Sequence, residues 1–299
     1  MARDLSQSRA TLVLQRSLRN ALRKRNHALQ DLDPDPVHDV RVALRRCRSL
    51  AEAFAALDSH PVWKKLLKAC KKQQRGLSDL RDIQVMRGWL HTLDLASTSA
   101  GASLADELKD EEIVARKRAK ASLKAFPRKR WKRWLDRLPA RTQRIHADDE
   151  RLAQIALECI VRVRRLDRRW HREHIMSTWH RLRVGVKGFR YIVESFLPEQ
   201  HAVWEKDLRR LQDLLGEGHD LDVLRVKILH VTNEQPVPKK ALNTALRRID
   251  GAIAKRVEAY EQIVRINRAT GTLGTRRPKR HTRQTLWDRW RLALAGVAG

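Results

Sequence analysis

Along almost the whole chain apolar residues return every three or four positions, with polar residues between them, which is the pattern of amphipathic helices. Leu12, Leu14, Leu18, Ala21 and Leu22 mark a first helix over 9–29. It closes at Asp31-Leu32-Asp33-Pro34-Asp35-Pro36, whose prolines disfavour helix in the residues before them. A second helix over 37–54 carries Val40, Leu44, Cys47, Ala51 and Phe54 at alternating spacings of four and three. The turn Asp58-Ser59-His60-Pro61 leads into a third helix over 62–93. A small-residue loop at 96–101 and a strongly charged fourth helix over 102–124 follow. The stretch 125–140, with Pro127, Pro139, Trp131 and Trp134, is expected to connect two halves, its tryptophans covering the junction between bundles. Further helices are expected over 141–174, over 179–196, from 199 onward, and over 239–268 after Pro236 and Pro238. Residues 271–299 form a basic linker and a short amphipathic segment with tryptophans, without a counterpart in the first half. Strand-like alternation is scarce, and glycine (12) and proline (9) are few, so the expected fold class is all-α.

A second stripe runs beside the apolar one on the helix over 37–54. His38, Arg41, Arg45, Arg48 and Glu52 fall at i, i+3, i+7, i+10 and i+14 and share one face, with Arg46 next to it. From His38 to Arg48 this ladder is roughly 15 Å long at helical rise. Like charges stacked in this way repel one another and call for an anion. The same stripe returns as His180, Arg183, Lys187, Arg190 and Glu194, over the apolar series Leu182, Val186, Phe189, Val193 and Phe196. A second pair of segments also matches. Lys68, Lys71, Lys72, Gln74, Leu77, Asp82 and Val85 answer to Lys206, Arg209, Arg210, Gln212, Leu215, Asp220 and Val223. Both matches together read as an internal duplication. Arg75, with Arg16 and Arg23 of the first helix and Arg165 of the fifth, completes the candidate anion-binding set. Arg81 stands where the second copy has His219. Gly185 and Gly188 lie inside a helix at a cost of about 1 kcal/mol each, and are read as points where a helix or the ligand approaches closely.

Charge narrows the partner. The chain of 299 residues has 64 Lys and Arg against 35 Asp and Glu, a formal net charge of +29, too large for indifference to polyanions. Cys47, Cys70 and Cys159 sit singly in helical patterns without metal-ligand spacing, and read as core thiols of a reducing compartment. The N-terminus lacks the apolar stretch of a secretion signal and no long apolar run occurs, so a cytoplasmic protein without a membrane span is expected. Enzymatic phosphate chemistry lacks its usual parts: a glycine-rich phosphate loop, a nucleophile beside a base, an acidic metal cluster. His171-x-x-His174 with His180 nearby is the best local metal candidate, but it has neither cysteine nor a matched carboxylate, so no metal and no other cofactor is expected. Glu52, Glu194, Asp82 and Asp220 are expected to hold arginines in rotamer.

The motifs Val37-His38-x-x-Arg41-Val42-x-x-Arg45-Arg46-x-Arg48, Leu77-x-x-x-Arg81-Asp82, His180-x-x-Arg183-x-x-x-Lys187-x-x-Arg190-Tyr191-x-x-Glu194 and Leu211-Gln212-x-Leu214-Leu215-Gly216-x-x-x-Asp220 resemble the CHAD family, the conserved histidine α-helical domain. The resemblance implies one domain over 9–270: a first four-helix bundle over 9–124, the connection 125–140, and a second bundle over 141–270, related by a pseudo-twofold axis, with 271–299 as a tail. It further implies basic stripes facing a shared groove or pore, binding of inorganic polyphosphate, and residence at polyphosphate granules. Polyphosphate is a linear chain with about one charge per phosphate and no bases, so it is matched by rows of donors that read no sequence. The alternative is a basic helical protein that binds nucleic acid. Weak, non-specific binding of that kind follows from the charge alone, but the stripes carry almost no stacking or base-reading group apart from Tyr191. The E-x-E-x-K strand motif of triphosphate-tunnel enzymes does not occur, which argues against triphosphatase activity.

Overall fold

The computed structural model describes residues 9–145, 149–265 and 285–298. Among these the regular structure is helical, as the periodicity predicts: α1 (Arg9–Gln30), α2 (Pro34–Leu57), α3 (Val62–Gly76), α4 (Ser78–Thr92), α5 (Ser99–Lys124), α6 (Arg128–Arg144), α7 (Asp149–Glu173), α8 (Met176–Phe196), α9 (Pro198–Glu234), α10 (Lys239–Val264) and α11 (Leu286–Ala298), with a 3-10 turn at Leu95–Ser97. None of the described helices is long and apolar enough to cross a membrane. Packing divides the chain into two compact units, Met1–Asp148 with Val223–Arg248 and Asp149–Asp222 with Ile249–Gly299. Helices α9 and α10 therefore give residues to both units, a division different from the expected 9–124 and 141–270. Periodicity marks that a helix exists but not where along it the neighbours change.

In the first unit the prolines of the Asp33–Pro36 segment do two things. They end α1 and also open α2, where a proline in the first turn loses no intrahelical hydrogen bond. The core gathers Leu14, Leu18, Leu44, Leu50, Phe54 and Trp63, with Phe54 and Trp63 stacked at 4.8 Å. The expected third helix is interrupted. At Gly76 a Cβ would lie 2.0 Å from the Ser122 hydroxyl of α5, and Leu77, at φ −112° and ψ −1°, separates α3 from α4. The expected connection over 125–140 is instead largely a helix of this unit. Trp131 and Trp134 of α6 are buried, and the Trp131 indole donates to the Leu18 carbonyl of α1 at 2.9 Å. Arg141 closes the other end with two bonds to Asp58, at 2.6 and 2.7 Å, which hold that carboxyl well below the usual range. Buried Arg25 donates from Nε and Nη2 to the Leu123 carbonyl, at 2.9 and 2.6 Å, and so caps the C-terminal end of α5. Cys47 and Cys70 are buried free thiols, and burial pushes Cys70 up to about 12.

The second unit is built on aromatic contacts. Trp179 of α8 meets Trp170 of α7 at 4.8 Å and Tyr260 of α10 at 5.1 Å, and donates from its indole to the Leu215 carbonyl at 3.1 Å. Gly218 makes room for it, since a Cβ there would lie 2.9 Å from Trp179 Nε1. Gly185 is also a close approach, 3.1 Å from Leu166 Cδ1 of α7, whereas a Cβ at Gly188 would meet no protein atom within 4 Å. The C-terminal segment is an integral helix of this unit. Trp287, Trp290 and Leu294 of α11 are buried, and Trp290 stacks against Phe189 and Trp204 at 5.7 and 5.1 Å. Its apolar spacing also occurs in the first unit. Trp131, Trp134 and Leu138 of α6 share its spacing, and the two tryptophan pairs stand 5.5 Å apart in both helices. As α6 packs on α1, so α11 packs on α7.

Candidate functional site

The two basic stripes lie on α2 in the first unit and on α8 in the second. On α2, His38 is exposed while Arg41, Arg45, Arg46 and Arg48 are half-buried. The Arg41 guanidinium donates from Nη1 to the Gln74 carbonyl at 2.9 Å, and the Gln74 carboxamide returns a bond to the Arg41 carbonyl at 3.4 Å. This exchange fastens the stripe to the end of α3. Arg48 donates from Nε to Glu52 at 2.9 Å, one helical turn away, which bears out the orienting role expected of that carboxylate. From α1 it is Lys24 that reaches α2, through Asp39 at 2.5 Å. Arg16 and Arg23 stand exposed, roughly half a helical turn from the buried Leu14, Leu18 and Ala21. Arg165 is likewise exposed on α7, turned away from Ile160 and Val163.

Helix α3 presents its cations in more than one direction. Lys68, Lys71, Lys72 and Arg75 are all exposed. Lys68 and Lys72, however, line a cleft against α6, on the side of α3 away from Gln74. The α3 members of the candidate anion-binding set are thus split between two surfaces.

On α8 the arrangement is tighter. Arg183 Nη2 lies 3.7 Å from Asp220 Oδ1, and its Nε passes 4.0 Å from where a Cβ of Gly216 would be. A glycine on α9 thus lets the guanidinium lie close to the helix. Arg190 donates from Nη1 to Gln212 Oε1 at 3.0 Å while its buried Nε has no hydrogen-bond partner. Lys187 lies half-buried between these two arginines. The matched glutamines Gln74 and Gln212 therefore serve different members of the two stripes. The cause is local: α3 stops shortly after Gln74, whereas α9 runs straight through Gln212. Lys206, Arg209 and Arg210 are exposed on α9 with Glu205 and Asp213 among them, and Arg209 donates to Glu205 at 2.5 Å.

The sequence reading left one residue of this site out. His219 faces His180, with ring centroids 4.4 Å apart and the two Nδ1 atoms 3.4 Å apart. Partial burial, then Arg183, His180 and Lys187, lower His219 to about 3, and burial with the same two cations lowers His180. Its signal was present, one position before Asp220, but its first-half match Arg81 hid it. Arg81 bonds the Pro34 carbonyl at 3.4 Å. His171, the best metal candidate in the sequence, lies 3.4 Å from Asp167 and 3.9 Å from Glu261. Among the described residues no group of three His, Cys, Asp or Glu is spaced to hold a metal ion.

The pH consequence has a definite sign. A histidine whose folded pKa lies below its unfolded value of about 6.5 binds a proton more readily in the unfolded chain. Its contribution to stability is therefore intact above about pH 6.5 and is lost progressively as pH falls toward 3. His219→Gln should lose less melting temperature than the parent chain between about pH 7 and pH 4. Thermal melts across that range check this, and an unchanged slope contradicts it.

These features define an all-helical protein with a cationic face on one helix of each unit. The family model of the CHAD domain matches residues 12–229, and the chain belongs to that family. In fold it is similar to the crystal structure of the CHAD domain from the plant Ricinus communis, at 22% identity and a TM-score of 0.62, over 85% of this chain and 90% of that one. It is also similar to PptA from Streptomyces chartreusis, at 15% identity and a TM-score of 0.61, over 86% of this chain and 98% of that one. No curated protein matches the chain in sequence.

Proposed function

We propose that the protein binds inorganic polyphosphate, without chemical turnover, on the basic faces of α2 and α8. One observation carries the reading: arginines of both stripes are fixed in orientation by bonds to the neighbouring helix. Arg41 donates to a backbone carbonyl of α3 and Arg190 to a carboxamide of α9. Arginine so fixed offers forked donors to phosphate oxygens at little further entropic cost. Membership of the CHAD family supports this ligand, and granules of polyphosphate are the expected place of action. The low pKa of His219 supports a site whose charge comes from arginine and lysine. The experiment is incubation with long polyphosphate, with and without magnesium, followed by separation of bound and free ligand. Retention of polymer of unchanged length on the protein is expected. Release of orthophosphate in many equivalents per protein would overturn the non-enzymatic reading, and failure to retain polymer at about 0.15 M salt would overturn the ligand assignment.

A further inference from the structure

The cleft between α3 and α6, within the first unit, has a volume of about 980 Å³. Its two walls are basic ladders. Lys65, Lys68 and Lys72 are spaced i, i+3, i+7 on α3 and face Arg130, Arg133 and Arg137, spaced i, i+3, i+7 on α6. All six are exposed, and none has an ion pair or hydrogen bond to a side chain or backbone group among the described residues. No acidic residue lines the cleft. Asp58, in the turn that leads into α3, is already bound by Arg141 and by the Trp63 indole at 2.7 Å. Surface lysines and arginines on neighbouring helices usually alternate with acids that form i, i+4 pairs. Here six uncompensated cations are gathered around one cavity, where they raise the local potential for anions.

The base of the cleft is different in kind. Trp134 and Leu138 line it from α6 and Val62 and Ala69 from α3, so the space between the cationic rims is apolar. A bare inorganic polyanion would use the rims and leave this floor idle. A phosphorylated molecule with a flat ring would use both, and the volume is at the upper end of the ~300–1,000 Å³ range of small-molecule sites. From this geometry we infer that the α3–α6 cleft is a separate binding site for a nucleoside polyphosphate, with phosphates on the Lys and Arg rims and the base over Trp134 and Leu138. The site shares no residue with the α2 stripe and does not depend on the polyphosphate reading of that stripe.

The test is calorimetric titration of the full chain at about 0.15 M salt with ATP and with tripolyphosphate. ATP should bind about tenfold tighter than tripolyphosphate although it carries less charge, because only ATP covers the apolar floor. Arg133→Ser with Arg137→Ser removes two exposed cations that make no internal bond, so the variant should keep its melting temperature. It should weaken ATP by about tenfold or more. Arg45→Ala on α2 should leave ATP binding within about twofold while it weakens long polyphosphate. Equal or tighter binding of tripolyphosphate overturns the nucleoside assignment. ATP binding that is absent, or that survives the α6 substitutions and falls with Arg45→Ala, overturns the site. An unsubstituted chain that binds ATP but not long polyphosphate would instead count against the stripe alone.

Discussion

Arg41→Glu combined with Arg183→Glu should abolish polyphosphate binding, while each change alone weakens it by about ten- to a hundredfold. Each guanidinium contributes charge-assisted hydrogen bonds of about 1.5–3 kcal/mol where partly desolvated, and reversal adds repulsion to that loss. The two are expected to act on one polymer, so the double variant loses both contributions. Stability must be followed in parallel, because Arg183 is 3.7 Å from Asp220 and a glutamate there would set two carboxylates side by side. Arg183→Gln avoids that repulsion and should keep the melting temperature while still weakening the ligand. Lys279→Glu with Arg280→Glu, which lie outside the described residues, should matter far less. A tail change more damaging than the stripe changes would place the site elsewhere.

Removal of the C-terminal helix should melt the second unit even though the helix lies beyond the residues matched by the family model. Trp287 is fully buried, and Trp290 completes a stack with Phe189 of α8 and Trp204 of α9, two of the elements that carry the basic stripe and its neighbour. Arg164 of α7 reinforces the attachment through Asp288 at 2.6 Å. Trp287→Ala should cost about 3–5 kcal/mol, as large-to-small changes at fully packed tryptophans do. For a unit of this size that is a fall of about 10 °C in melting temperature. A chain ending at residue 265 should lose more. Thermal unfolding of both variants is the measurement, and a shortened chain that melts like the full one would mean that α11 rests on the unit without holding it together.

How far the sequence carried the account depended on whether a feature was local. The helices and the two stripes were legible because a 3.6-residue repeat needs only the residues themselves, and His38, Arg41, Arg45 and Arg48 do share a face of α2. The break after Gly76 was hidden because its cause is distant, the Ser122 side chain of α5 packed against that glycine. Pro127 and Pro139 suggested a linker where α6 forms. Pro139 sits inside α6, and burial of Trp131, Trp134 and Leu138 outweighs the hydrogen bond it gives up. Those residues already stood at i, i+3 and i+7, a helical signal that the prolines masked. The same spacing in Trp287, Trp290 and Leu294 marks α11 as a helix with a buried tryptophan face like that of α6. The α3–α6 cleft could not be read at all, and His219 could be placed beside Asp220 but not against His180, because cleft and histidine pair each join side chains that only the packing of two helices brings together.

The central claim is that the basic faces select a polyanion without bases. Its most direct test is competition between long polyphosphate and duplex DNA for the full chain, at equal concentration of charge and about 0.15 M salt. Both ligands release counterions, so both should weaken as salt rises, and the salt dependence alone does not distinguish them. The account predicts that polyphosphate displaces DNA well below charge equivalence and that DNA does not displace polyphosphate. Equal displacement in both directions, or tighter retention of DNA, would contradict it.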